Sequence, residues 1–139
     1  MSEQATAAET IEMPKHGSFC WNELATDNLE ICQTFYGELL GWTLKRSEAT
    51  GEEMEYIELS NGDKCSFGGM YQMGKEFGDR PPHWMSYIAV DDVDASASKV
   101  WELGGKVCVP PTDIPNVGRF CVVNDPTGAT FSLITLKRP

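Results

Sequence analysis

Two stretches of the chain alternate apolar and polar side chains with the period of a strand, and each runs into a stretch with helical spacing. Residues Ser18–Thr26 and Trp84–Val90 read as strands. After the first, Cys32, Phe35, Tyr36, Leu39 and Leu40 recur as on one side of a helix. After the second, Val93, Ala97, Val100 and Leu103 do the same less densely. Asp27 with Glu30, and Asp91 with Asp94, stand where acidic caps start helices; Gly41 and the pair Gly104-Gly105 stop them. Each helix is followed by three shorter strand patterns. The first set is Trp42–Arg46, Glu55–Leu59 and Lys64–Tyr71; the second is Lys106–Val109, Arg119–Asn124 and Thr130–Leu136. The turns SNGD (60–63) and NDPTG (124–128) are rich in turn formers. The predicted order is βαβββ twice, an α+β fold.

The two halves superpose at one constant offset of 64 positions. Ala25, Asp27, Glu38, Leu39 and Gly41 fall on Ala89, Asp91, Glu102, Leu103 and Gly105, and Phe67 falls on Phe131. An offset that holds across separated blocks without a gap reads as two structural copies in one domain; chance likeness of two βα segments is the alternative. Module one is placed at 16–71, a Gly- and Pro-containing linker at 72–82, and module two at 83–137. Residues 1–15 read as a disordered polar lead-in with no basic start and apolar core, so no secretion signal is expected there.

Composition narrows the function. At 139 residues the chain is long enough for one real core, and 41% hydrophobic with 23% charged residues is ordinary for a soluble domain. A net charge of −10 argues against nucleic acid and anionic membranes, which need a basic footprint. Cys20, Cys32, Cys65, Cys108 and Cys121 make an odd set without C-x-x-C, so reduced thiols and a cytoplasmic location are expected. No G-x-S-x-G, P-loop or dinucleotide fingerprint is present. The glycine pair in FGGM (67–70) reads as a bulge or a close backbone contact.

The helix WNELATDNLEICQTFYGELLGW (21–42) and the closing block DIPNVGRFCVVNDPTGATFSLI (113–134) resemble the vicinal oxygen chelate superfamily of glyoxalase, bleomycin-resistance and dioxygenase proteins. The resemblance implies two modules forming a curved, cup-shaped mixed sheet with the helices outside, and a homodimer. It also implies up to four inward metal ligands, one on the first and one on the last strand of each module. By the 64-residue offset those positions are Trp21, Met85, Gly68 and Ser132. Indole, thioether and glycine cannot bind a hard metal and a lone hydroxyl is weak, so no metal and no cofactor are expected. A shift of two residues would bring Glu23 and His83 into a partial site that still lacks a third and fourth donor. His16 falls in the lead-in and reads as exposed.

Strand alternation then proposes a cup lined by Trp21, Glu23, Gly68, Met70, His83, Met85, Tyr87 and Ser132, an apolar and aromatic cavity with a few polar handles. The reading favoured is metal-independent binding of a small apolar or aromatic molecule. Two others stay open. One is a lyase or isomerase using Glu23 and His83 as base and acid. The other is an interaction protein whose cup is plugged by Trp21, Met85 and Met70 as core.

Overall fold

The structure is a computed structural model that describes residues 13–47, 55–62 and 65–137. Most of the lead-in, 1–12, lies outside the described residues. The elements run β1 (Phe19–Thr26), α1 (Leu29–Leu40), β2 (Thr43–Arg46), β3 (Tyr56–Ser60), β4 (Gly68–Gln72), a 3₁₀ turn (Lys75–Phe77), β5 (His83–Ala89), α2 (Val93–Glu102), β6 (Lys106–Ile114), β7 (Gly118–Asn124) and β8 (Thr130–Leu136). They build an α+β fold around one eight-stranded mixed sheet ordered β2-β3-β4-β1-β5-β8-β7-β6. The two βαβββ units meet along β1 and β5, which pair antiparallel, while β1–β4 and β5–β8 are parallel.

The apolar half of each alternating strand faces its helix. Leu24, Ile57, Leu59 and Met70 pack with Leu29 of α1 in the first unit. Val90, Cys121, Val123 and Leu133 pack with Val93 and Ala97 of α2 in the second. The other face of the sheet is left for a site.

Three local readings need correction. The helix caps lie one residue beyond Asp27 and Asp91. Asn28 accepts from the Ile31 backbone N–H at 3.1 Å, and Asp92 accepts from Asp94 and Ala95 at 3.1 and 3.2 Å. Asn and Asp cap equally well, so composition could not separate the neighbours. Strand β6 does not stop at Val109 but runs through Pro110-Pro111 to Ile114. It is an edge strand with register shifts on either side of Val109, and an edge tolerates the missing proline N–H groups. Lastly, α1 does not bury all its apolar positions. It turns Leu29, Cys32 and Tyr36 to the sheet and leaves Ile31, Phe35, Leu39 and Leu40 exposed.

The 64-residue symmetry is also broken in register. Ser132 pairs with Tyr87, but its counterpart Gly68 pairs with Asn22, not with Glu23, the counterpart of Tyr87. A slip of one residue moves every side chain of a strand to the opposite face. Gly68 and Met70 therefore do not line the cup. Met70 is fully buried among Leu24, Ile57 and Leu59 under α1. The residues of β4 that face the cup are Gly69, beside Glu23, and Tyr71, beside Ala25.

Candidate functional site

The cup face is built by residues that sit opposite one another across the central strands. Trp21 faces Tyr87, Glu23 faces Met85, and Ala25 faces His83. Ser132 extends the row from Tyr87 on one side. Gly69 and Tyr71 extend it on the other and reach Glu58 and Tyr56 of β3. All of these but the glycine, alanine and serine carry chemistry or a large apolar body.

Glu23 is the centre. Tyr56 Oη donates to Glu23 Oε2 at 2.7 Å, and Tyr87 Oη donates to Glu23 Oε1 at 2.8 Å. Trp21 Nε1 donates to Tyr56 Oη at 2.9 Å, so the indole fixes the phenol that fixes the carboxylate. Burial holds the Glu23 carboxyl above its ordinary value of 4.5; the two phenol hydrogen bonds and the nearby His83 pull back only part of that rise. Burial first, and then the Glu23 charge, raises the Tyr56 and Tyr87 phenols well above the usual tyrosine range. Tyr71, pushed up by burial and by the charges of Glu23 and Glu76, stands at about 12. These phenols are fixed donors at neutral pH and Glu23 is their acceptor.

Gly69 makes this arrangement possible. A Cβ there would run into the ring and hydroxyl of Tyr56. The missing side chain does leave room at the cup floor, but Tyr56 occupies it. Tyr56 stacks on Tyr71 at 6.2 Å with 12° between planes. Phe77 follows Tyr71 at 6.0 Å, and His83 follows Phe77 at 6.2 Å, so the aromatic wall runs on to the β4–β5 connection.

Of the residues singled out by sequence, Trp21, Glu23, His83, Met85, Tyr87 and Ser132 share this face; Gly68 and Met70 do not. His83 makes no hydrogen bond to Glu23. Its Nδ1 lies 2.9 Å from the Pro81 carbonyl, which can only accept, so Nδ1 carries the proton in that contact. Ser132 is fully buried beside Tyr87, without a hydrogen bond of good geometry. His16 is half exposed and accepts from the Asp91 backbone N–H at 2.9 Å, away from the cup.

Sequence reasoning missed Tyr56, Gly69 and Tyr71. A signal existed: Ile57 and Leu59 pack toward α1, so alternation sends Tyr56 and Glu58 to the cup.

The set does not fit a divalent metal. The four ligand positions carry Trp21, Met85, Ser132 and, after the register correction, Gly69 in place of Gly68. Among the described residues no group of three or more His, Cys, Asp or Glu could hold a metal ion. Glu23 offers one carboxylate, already accepting two hydrogen bonds, and Glu58, two strands away on β3, accepts from Ser66.

A concavity of about 310 Å³ lies on the opposite face, lined by Asn22, Trp42, Leu59, Phe67 and Trp84. Tyr36 stacks on Trp42 there at 5.6 Å.

Residues 19–133 match the family model of the Glyoxalase/Bleomycin resistance protein/Dioxygenase superfamily. CFP32 of Mycobacterium bovis, provisionally named a glyoxylase, is 43% identical over 119 residues, 85% of this chain and 44% of that protein. The anthracycline biosynthesis protein DauV of a Streptomyces species is 33% identical over 130 residues, 94% of this chain and 45% of that protein. The chain thus spans less than half the length of these curated relatives. Among solved structures, methylmalonyl-CoA epimerase from Mycobacterium tuberculosis superposes with a TM-score of 0.60 at 14% identity, covering 94% of this chain and 96% of that one. The Streptomyces coelicolor epimerase bound to 2-nitronate-propionyl-CoA superposes at 0.61 and 17% identity, covering 89% of this chain and all of that one. At such identities the likeness is one of fold.

Proposed function

The chain belongs to the glyoxalase/bleomycin resistance protein/dioxygenase superfamily, and from that premise we propose that its cup binds a small apolar or aromatic molecule without a metal ion. One observation carries the reading. A part-buried carboxylate, bracketed by two phenols, stands on an aromatic face where a metal-using relative would need donors. Trp21, Tyr56, Tyr71, Met85 and Tyr87 supply flat or flexible apolar surface, and Glu23 and His83 supply the polar anchors, with Ser132 buried behind Tyr87. Elemental analysis of the purified chain, paired with a tryptophan-fluorescence titration by aromatic ligands, tests it. The expected result is no stoichiometric Zn, Ni, Mn or Fe and a saturable response. About one metal per chain, lost on Glu23→Ala, overturns it.

A second reading is favoured by the raised Glu23 carboxyl. Such a group holds a proton more tightly than an exposed carboxylate does, and Tyr56 and Tyr87 would stabilise the charge on an enolate or on Glu23 itself. This is a lyase or isomerase with Glu23 as base; His83, whose Nδ1 donates to the Pro81 carbonyl, makes no hydrogen bond to Glu23. Ligand-dependent deuterium exchange from solvent separates the two readings: it accompanies an isomerase and is absent from a binder.

Residues 16–137 are taken as one domain. We also propose a homodimer that covers the exposed Ile31, Phe35, Leu39 and Leu40 of α1. Phe35 is 53% and Leu39 62% exposed, one turn apart on the same side of the helix. Light scattering should give twice the 15.4 kDa chain mass, and Phe35→Asp should return the monomer. A cytoplasmic location, with no nucleic-acid or membrane partner, is supported by five free thiols, the net charge of −10 and the lack, among the described residues, of a helix able to cross a membrane.

A further inference from the structure

We propose that the cup selects its ligand by charge: it takes flat aromatic molecules that carry an ammonium or similar protonated nitrogen, and it discriminates against carboxylates and phosphates. The proposal rests on the reading of the cup as a small-molecule site and deepens it.

The distribution of charge over the cup face carries the inference. Glu23 lies at its centre on β1, and Glu58 lies on β3 beside Gly69. The cup-facing positions of β7 and β8 hold Phe120, Val122, Ser132 and Ile134, with no cation among them. On β5 the only basic side chain is His83, whose Nδ1 is tied to the Pro81 carbonyl. The lysines on this face, Lys45 and Lys106, stand on the two outermost strands, β2 and β6, three and four strands away from β1. Along the sheet, three strands is about 14 Å. Among the described strand residues of this face, a ligand seated over Glu23 therefore meets a carboxylate at the centre and no lysine or arginine nearer than the two outermost strands.

The carboxylate is also left incomplete. Each oxygen accepts one phenol hydrogen bond, and an ionised carboxylate has about four acceptor sites, so two remain for a ligand. Burial is the largest influence on Glu23 and the phenols offset only part of it. A cation bound there supplies the missing compensation; an anion adds to the penalty. The stacked Tyr56–Tyr71 pair and Phe77 give ring faces for the same cation and for the aromatic body behind it. The selectivity expected is the reverse of what a CoA ester, with its phosphates, would need.

Three probes of one shape test this at pH 7 by calorimetry: 2-naphthylmethylamine, 2-naphthylmethanol and 2-naphthoate. The ammonium should bind at least about tenfold more tightly than the alcohol, and the carboxylate at least about tenfold more weakly. In Glu23→Gln the ratio of amine to alcohol affinity should fall to within about threefold of unity. Equal binding of amine and alcohol by the wild type, tighter binding of the carboxylate, or a ratio that survives Glu23→Gln overturns charge selection while leaving the cup as a site. Binding of none of the three removes the cup reading itself. If Glu23→Gln does not fold, the order shown by the wild type decides alone.

Discussion

Replacing Gly69 by alanine should uncouple the centre of the site, through one methyl group. The backbone there is ordinary extended strand, so alanine brings no φ strain; the entire effect must come from the new Cβ. That atom lands on the Tyr56 ring and hydroxyl. The ring has to swing away, and two hydrogen bonds go with it, to Glu23 at 2.7 Å and from Trp21 at 2.9 Å. The bond to Glu23 involves a charged acceptor and is worth about 1.5–3 kcal/mol, the bond from the indole about 1 kcal/mol. Partial exposure of the site lowers both, so we expect Gly69→Ala to destabilise by about 2–3 kcal/mol, a large value for a single methyl. Urea unfolding followed by tryptophan fluorescence gives the number. The decisive comparison is the same substitution in a Tyr56→Ala background, where nothing remains for the Cβ to displace. There Gly69→Ala should cost less than about 0.5 kcal/mol, so the cycle should show coupling of about 2 kcal/mol. An equal cost in both backgrounds would refute the reasoning and place the role of Gly69 in the chain, not in Tyr56.

Three further outcomes follow from the same geometry. The folded-state carboxyl of Glu23 sits above its ordinary value of 4.5, so the folded chain holds that proton more tightly than the unfolded one. Its contribution is then fully present below pH 4.5 and lost as pH rises through the folded value; measured against Glu23→Gln, the wild type should lose ground from pH 4.5 upward, and a gain would contradict the burial argument. In a spectrophotometric titration of the four tyrosines, no more than one should ionise below pH 11, because Tyr71 stands at about 12 and Tyr56 and Tyr87 lie higher still. At the helix starts, Asn28→Ala and Asp92→Ala should each cost about 1 kcal/mol by thermal denaturation, whereas Asp27→Ala should cost less than about 0.5 kcal/mol.

The fold was legible because period-2 and period-3.6 patterns alternate cleanly along the chain and because the two halves repeat at one offset. Glu23, Trp21, Met85 and Tyr87 were legible for the same reason, since from Trp21 onward β1 alternates in step with β5 and pairs directly with it; the register shift of β1 lies before them, between Phe19 and Trp21. The last strand of the first module was not. Ser-Phe-Gly-Gly-Met gives alternation little to hold, because two neighbouring glycines have no side chains to declare a face. The repeat supplied a phase by analogy with Ser132, and a register difference of one residue between the modules made that phase wrong. Tyr56 and Tyr71 went unnoticed with it, although they hold and flank the carboxylate. The caps were missed by one residue, and the exposed side of α1 is invisible to periodicity, which finds an apolar stripe without saying what covers it.

The central claim is that the ligand site is the cup around Glu23, and not the aromatic concavity on the other face. The four tryptophan indole N–H groups divide the two places: Trp21 lies in the cup, Trp42 and Trp84 line the outer concavity, and Trp101 lies exposed on α2. In a ¹⁵N-labelled sample titrated with 2-naphthylmethylamine, the Trp21 indole resonance, assigned by its loss in Trp21→Phe, should shift saturably while the other three stay in place. Shifts at Trp42 and Trp84 with Trp21 unmoved, or no shift at any indole up to millimolar probe, would contradict the account.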